Sequence, residues 1–487
     1  MEEENQLIKQ RIEKLEELKK IVNPYPYSYD VNSKSSEILE KYSKLQKEEK
    51  TEDEVKVAGR IMSMRKMGKI AFANLGDQEG KVQLFFSKQD SENFEILKHL
   101  DLGDILGIKG KIFKTKTGEI TINVKEFEVL CKSLRPLPEK WHGLKDTEIR
   151  YRQRYVDLIV NPEVKEVFIK RSKIISGVRE FLNEKDFIEV EIPTLQPVYG
   201  GANARPFKTH INAWDLDMFL SISPELYLKR LTVGGLEKVY TICKNFRNEG
   251  VDKTHNPEFT MMECYQAYVD YNEMMKITEE MFEFIAKKVL GKTKVDYQGT
   301  EIDFKVPWER LTMKESIKKH ANVDVDKLSD DELKDLLRTH NIETREDVTR
   351  GLAIALLFEE LVEDKLIQPV HITDHPKETT MLCKEKRGDK ELIERFESFA
   401  FGFELCNAYS ELNDSIKQTE LLKEQVEKGR GGDEEAHPMD EDFVRALEYG
   451  MPPTGGLGIG IDRMVMFFTD SKTIRDVIAF PTMRPEK

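Results

Sequence analysis

KNFRNEGVDKTHNPEFTMMECY, residues 244–265, is the stretch on which the fold turns. KVYTICKNF (238–246) and EFTMMECYQAY (258–268) are rich in β-branched and aromatic residues and read as strands. The intervening RNEGVDKTHNP (247–257) carries Gly and Pro and reads as a loop, so the pair forms an antiparallel hairpin. Side chains alternate along a strand, so Phe259, Met261, Glu263 and Tyr265 share one face. Glu263 therefore sits on a face that is otherwise apolar or aromatic, and a buried carboxylate without a partner is costly. Two partners would satisfy it: an internal bridge to Arg247 at the start of the loop, or a cationic ligand.

Working outward, other segments add polar groups to the same domain. SISPELYLKRL (221–231) puts Glu225 just after a strand and at the start of a helix. RFESFAFGFELCNAYSELND (395–414) carries Glu397, Glu404, Asn407 and Glu411 in strand-like sequence with Gly402 as a turn. Strict alternation puts Asn407, Tyr409 and Glu411 on one face and Glu404 on the other, so gathering them requires a bulge or a hairpin. Carboxylates in oxygen-only company suit Mg²⁺, which keeps waters and bridges to phosphates. GLGIGIDRMVMFF (456–468) exposes backbone at its glycines and then opens a helix carrying Arg463. Arginine stacks on flat rings and clamps phosphate.

Neither common phosphate cradle is present. Gly291-Lys292-Thr293 comes nearest to a Walker loop, but position 286 is Ala; GGLGIGIDR (455–463) fails the dinucleotide pattern because position 461 is Ile. Two arginines, several acids and a sheet floor instead suit a magnesium nucleotide and a second substrate bearing an amine.

The period changes upstream. Residues 55–134 contain five short β-rich runs separated by Gly, Asp and Lys turns, with room for a helix between the third and fourth. This fits a five-stranded OB barrel, which binds single-stranded nucleic acid by stacking bases on aromatics. Phe72, Phe85 and Phe86 are the candidate platforms. The chain has 487 residues and a net charge of −14, which argues against a polyanionic partner. Val55–Leu134, however, carries 14 Lys/Arg against 10 Asp/Glu, a locally basic module on an acidic body. Residues 4–22 repeat apolar side chains at three- and four-residue steps, as an amphipathic helix, until NPYPY stops it. The expected organisation is α+β: a helical arm (1–54), the OB barrel (55–134), a proline-marked linker (135–160) and a domain on an antiparallel sheet flanked by helices (161–487). Within the last, helix-patterned sequence interrupts at about 313–368. A helix with a stripe of Val164, Phe168, Ile175, Val178 and Leu182 leads into IEVEIPTL (188–195), which alternates as a strand. Five cysteines without a CxxC pair, an acidic N-terminus without an apolar run, and no stretch long enough to span a bilayer point to a cytoplasmic protein with reduced thiols and no membrane partner.

FRNEG followed by THNPEFTMMECY resembles motif 2 of the class II aminoacyl-tRNA synthetases, and GLGIGIDRMVM resembles their motif 3. The helix and strand ending at Pro193 resemble motif 1, the element of the dimer interface. The preceding OB barrel narrows the resemblance to the subgroup of aspartyl, asparaginyl and lysyl enzymes. GGANARPF, PELYLKRL and the SELND segment are similar to its lysyl members. The resemblance covers residues 55–487.

The resemblance implies a homodimer that joins L-lysine to tRNA at the expense of ATP, with Mg²⁺ (up to three ions) on the nucleotide. It implies that Arg247 and Arg463 are catalytic, and that ATP contacts Arg247, Glu249, His255, Phe259 and Arg463. Lysine would be bound by Gly201, Glu225, Glu263, Tyr265, Asn407 and Glu411, the metal by Glu397 and Glu404, and the anticodon by Phe72, Gln83 and Glu119. An aspartate-selecting pocket should instead present a cation at Tyr265 or Glu411. Two rival readings differ in prediction: an aspartyl- or asparaginyl-type enzyme, and a catalytically dead OB-fold nucleic-acid binder.

Overall fold

The structure, a computed structural model, describes residues 2–138, 144, 146–342, 344, 348–430 and 437–486. The chain divides into two compact units, 1–145 and 146–487.

The first unit opens with helix α1 (Glu2–Lys19) and continues into a closed barrel. Its strands are β1 (Lys50–Met67), β2 (Ile70–Gly76), β3 (Lys81–Ser87), β4 (Ile105–Lys114) and β5 (Ile120–Cys131), joined in the order β1-β2-β3-β5-β4. A short 3₁₀ helix, Phe94–His99, occupies the space between β3 and β4. Period-two alternation sorts the aromatics: Ala71, Ala73, Leu84 and Phe86 point into the core, while Phe72 and Phe85 point out. Phe86, a candidate platform on sequence, is thus a core residue packed on Phe127.

The second unit is built on a nine-stranded sheet. In chain order its strands include β6 (Ile188–Glu189), β7 (Lys238–Phe246), β8 (Glu258–Ala267), β9 (Glu309–Thr312), β10 (Val370–Pro376), β11 (Asp389–Ala400), β12 (Phe403–Ser410) and β13 (Thr454–Gly460). Across the sheet they run β9-β10-β11-β12-β13-β8-β7-β6, with Glu385–Lys386 paired to β11 off this path. Only β9–β10 and β7–β6 are parallel. Helices α2 (Pro162–Glu184), α4 (Tyr271–Leu290) and α5 (Ile461–Thr469) cover one face; α3 (Glu225–Val233) packs near β7 and β8. Ile174, Val178, Phe282, Met464 and Phe467 meet Met262, Cys264, Phe396 and Leu457 of the strands in the largest core. Burying one parity of β8 in this way commits the other parity, including Glu263, to the opposite face.

Two expectations change. IEVEIPTL does not run as one strand: Ile188–Glu189 form the two-residue β6, Leu195 opens a short strand of a separate three-stranded sheet, and both Ile188 and Leu195 are exposed. β6 is the outermost strand of the nine-stranded sheet, and Pro193 lacks the amide with which a ladder would continue. The linker expected over 135–160 ends early: 147–152 and 154–160 are helical and belong to the second unit, the Asp146 side chain capping the first of these helices. Residues 139–143 and 145 of that linker lie outside the described residues. The interruption near 313–368 contains helices Met313–Ala321, Asp330–Thr339 and Arg350–Leu361. They close a core of their own against Val370, Ile372 and Phe399.

Candidate active site

The uncovered face of the sheet floors a cavity of about 370 Å³. Phe259, Met261, Glu263 and Tyr265 of β8 line it, as alternation requires. β13 lies beside β8, and its glycines leave the floor flat. A Cβ at Gly456 would stand 2.0 Å from Glu411 Oε1 and 2.6 Å from Tyr265 Cε1, so the acid and the phenol fill the space that any side chain would need. Gly201 has φ +87°, and a Cβ there would meet Ser223 Oγ at 2.8 Å and Glu225 Cβ at 2.9 Å.

The β11–β12 hairpin turns at Phe401-Gly402, both with positive φ, as a tight hairpin demands. Its register slips between Ser398/Cys406 and Phe399/Glu404, leaving Leu405 as an extra residue. This bulge reverses the parity of Glu404, which joins Glu397, Asn407, Tyr409 and Glu411 on the cavity wall.

No ion pair joins Arg247 to Glu263 among the described residues. Glu263 accepts hydrogen bonds from Ser223 Oγ (2.9 Å) and Tyr265 OH (3.1 Å). Burial, reinforced by repulsion from Glu225, nevertheless pushes its carboxyl up to about 8. The Arg247 guanidinium lies over the Phe259 ring at 5.1 Å, and its Nε points at Ile222 O at 3.5 Å. Burial lowers its pKa, opposed by the charges of Glu249, Glu404 and Glu263. The internal-bridge alternative is therefore absent, and the cation and the acid both remain open to a ligand.

Glu225 and Glu411 face each other across a buried lysine. Lys229 Nζ lies 2.6 Å from Glu225 Oε1 and 2.5 Å from Glu411 Oε2. The second contact is an ion pair off the direction of a hydrogen bond, so both buried Glu411 oxygens lack a well-directed donor. Burial pushes the Glu411 carboxyl up to about 8 despite Lys229, and raises that of Glu225 as well.

At the other end of the cavity, Arg463 at the start of α5 donates to Glu404 O (2.7 Å) and Glu404 Oε2 (3.2 Å). Asp462 beside it accepts from Thr260 N (2.7 Å) and from Arg171 (2.6 Å), which locks α5 to β8. Glu397 pairs with Arg395, which also donates to Asn407 Oδ1 at 3.1 Å. Glu249 and His255 sit on the exposed hairpin loop at the mouth, His255 Nδ1 2.9 Å from Asp252.

Glu397 and Glu404 fit a cation that retains water and phosphate ligands. Acid accumulates around them: burial first, and then Glu397, Glu359 and Glu404, push the Glu363 carboxyl up to about 8, and Glu359 is raised by burial and Glu397. Among the described residues no three His, Cys, Asp or Glu side chains are gathered as a metal cage.

On the barrel, Phe72, Gln83 and Phe85 line an outer groove with Arg65, Phe113 and Lys114. The Phe72 and Phe85 centroids are 4.9 Å apart. Glu119 lies exposed at the start of β5 and does not line that groove.

Every lysine-, nucleotide- and metal-site residue named from sequence therefore lines one cavity. Ser223, Lys229, Arg395 and His437 went unnamed. Glu225 to Lys229 is an i,i+4 spacing, and Arg395 shares the parity of Glu397, so both had a readable signal. His437 follows residues 431–436, which lie outside the described residues, and no local pattern marks it.

A family model for tRNA synthetases class II (D, K and N) matches residues 146–484, and one for the OB-fold nucleic acid binding domain matches 55–130. The lysine–tRNA ligase of Clostridium novyi (strain NT) is 53% identical over 491 residues, covering 99% of this chain and 95% of that protein. Those of Clostridium botulinum (strain Loch Maree / Type A3) and Thermoanaerobacter pseudethanolicus (strain ATCC 33223 / 39E) are 54% and 53% identical, each over 100% of this chain and 97% of the relative. With its hairpin arginine, its glycine-floored pocket and its barrel, the chain belongs to the class II tRNA synthetases of the D, K and N group.

Proposed function

We propose that this chain is a lysine–tRNA ligase that activates L-lysine with ATP and transfers it to the 3′ end of tRNA. The observation that carries the choice of amino acid is Glu411, a wholly buried carboxylate aimed into the cavity with no well-directed donor on either oxygen. Lys229 gives the three acids Glu225, Glu263 and Glu411 one positive charge between them, which leaves the pocket short of cation, and lysine brings two. An aspartate or asparagine pocket is disfavoured because Lys229, the cation paired with Glu411 among the described residues, is fully buried and already held between two acids.

Two displacements follow. A lysine carboxylate oxygen attacks the α-phosphorus and pyrophosphate leaves. The terminal ribose hydroxyl of tRNA then attacks the carbonyl carbon of the mixed anhydride and AMP leaves. The protein supplies no nucleophile; it positions groups and neutralises charge. Arg247, open to ligand, holds the lysine carboxylate beside the α-phosphate, two anions that repel in its absence. Asn407 contacts the same carboxylate. Glu225 and the Gly201 backbone take the α-ammonium; Tyr265, Glu411 and Glu263 take the ε-ammonium. Adenine lies between Phe259 and Arg463, with Glu249 and His255 closing over the nucleotide. Glu397 and Glu404 would hold Mg²⁺, whose charge offsets that of the triphosphate. Phe72, Gln83 and Glu119 contact the anticodon.

A homodimer is supported by exposed apolar side chains on the second unit, Tyr155, Ile188, Leu195 and Trp214 among them. Cytoplasmic location is supported by five free cysteines. Among the described residues no helix is long and apolar enough to cross a membrane. ATP–pyrophosphate exchange measured with each of the twenty amino acids tests the assignment. Exchange with lysine above all others is expected; a preference for aspartate or asparagine, or none at all, overturns it.

A further inference from the structure

Lys229 has no side-chain exposure and does not line the cavity, yet it touches two of the acids that do. One turn of α3 brings it to Glu225, and the end of β12 brings Glu411 to its other side. From this geometry we infer that Lys229 is a positioning residue for amino-acid choice: its ammonium ties Glu225 to Glu411 at a fixed separation and leaves Glu225, Glu263 and Glu411 with a net charge matching two substrate ammonium groups. The inference rests on the lysine reading of the pocket and deepens it.

Three carboxylates converge on one dry cavity, and without a resident cation they repel until some take up protons. Once bound lysine has displaced the protons that the buried carboxyls hold, the three ionised acids and Lys229 carry two negative charges in excess, which the α- and ε-ammonium groups cancel. Arg247 separately faces the substrate carboxylate. A purely structural role fits less well. A buried ion pair is generally no more stabilising than an apolar pair of the same volume. Here one ammonium serves two acids and leaves Glu411 without a well-directed hydrogen bond, a poor arrangement for stability and a useful one for a site awaiting a second ammonium.

The other groups facing Lys229 do not compete for its role. Tyr265 and Tyr409 are driven upward mainly by burial, as is Cys383, which bridges to Glu411, so all three stay neutral near pH 7. His437 is pushed down to about 4 by burial and then by Lys229, and is neutral as well. Arg395 lies beyond Tyr409 and is engaged by Glu397.

The test is lysine-dependent ATP–pyrophosphate exchange as a function of pH for wild type, Lys229→Met and Lys229→Arg, with folding checked by circular dichroism and melting. Lys229→Met removes the charge. Its KM for lysine should rise ~10-fold or more at pH 7 and its KM for ATP stay within about twofold, while the acid limb of kcat/KM for lysine moves to higher pH because the carboxyls hold their protons longer. Lys229→Arg keeps the charge and widens the gap, so lysine KM should rise selectively with the acid limb unmoved. If Lys229→Met does not fold, Lys229→Arg decides alone. Unchanged lysine KM in a folded variant, or lysine and ATP KM rising together, overturns the inference. Absence of lysine-dependent exchange in the wild type is a different failure, that of the lysine reading itself.

Discussion

A methyl group at position 456 has nowhere to go. It would stand 2.0 Å from Glu411 Oε1 and 2.6 Å from Tyr265 Cε1, and both partners are fully buried. Gly456→Ala should therefore displace the acid and the phenol from the lysine end and leave the nucleotide end intact. The expected result is a lysine KM raised by ~10-fold or more with ATP KM within about twofold, read by exchange kinetics. Equal loss for both substrates would mean that the β8–β13 floor had shifted as a whole. Arg247 gives the opposite signature. Its guanidinium makes no ion pair in the described structure, so little stability rests on its charge, and Arg247→Ala should melt within a few degrees of wild type while exchange falls by ~10²-fold or more. Near-normal exchange in that variant would remove the arginine from the reaction.

At the scale of the element, β8 and the β11–β12 hairpin gather titratable groups into one wall. Glu263 and Glu411 each hold a proton up to about pH 8 in the free protein, chiefly because they are buried. An arriving ammonium favours the ionised form, so lysine binding expels protons. Protons released on binding mean that affinity rises with pH until the free carboxyls have themselves ionised near 8. Lysine should therefore bind more tightly at pH 8 than at pH 6.5. Calorimetry in buffers of different ionisation enthalpy should show net proton release, reduced in Glu411→Gln. Proton uptake, or none exchanged, would place the substrate ammonium elsewhere. The same elements explain what could be read in advance. Alternation alone put Phe259, Met261, Glu263 and Tyr265 on one face of β8, itself largely apolar, and only the helices packed on Met262 and Cys264 show that this face is the open one. Alternation also put Glu404 on the wrong side of β12, and only the extra residue at Leu405 restores it. A bulge is a property of two strands in register, and no single strand announces it. Lys229 was half legible: the i,i+4 spacing from Glu225 was in plain view, but its second partner lies 182 positions away at the end of β12, reached only by the folded sheet.

At the scale of the whole molecule, the two compact units carry separate cores and opposite local charge. On the proposed assignment amino-acid activation draws on the second unit, because every residue proposed for lysine and nucleotide lies between 201 and 463. Charging of tRNA should also draw on the barrel, where the half-buried Phe72 and Phe85 line an outer groove with Arg65 and Lys114. Stacking one base on an aromatic contributes ~1–3 kcal/mol, or roughly 5- to 150-fold in affinity. Phe72→Ala should thus lower kcat/KM for tRNA by an amount in that range, while lysine-dependent exchange stays within about twofold of wild type and the melting profile of the barrel is little changed, since the side chain is not part of its core. Raising the salt concentration should weaken tRNA charging in wild type and variant alike, because the Lys and Arg contacts to phosphate remain. A fall in exchange comparable to the fall in charging would show that Phe72 supports the fold, and base recognition would then have to be sought elsewhere on the barrel.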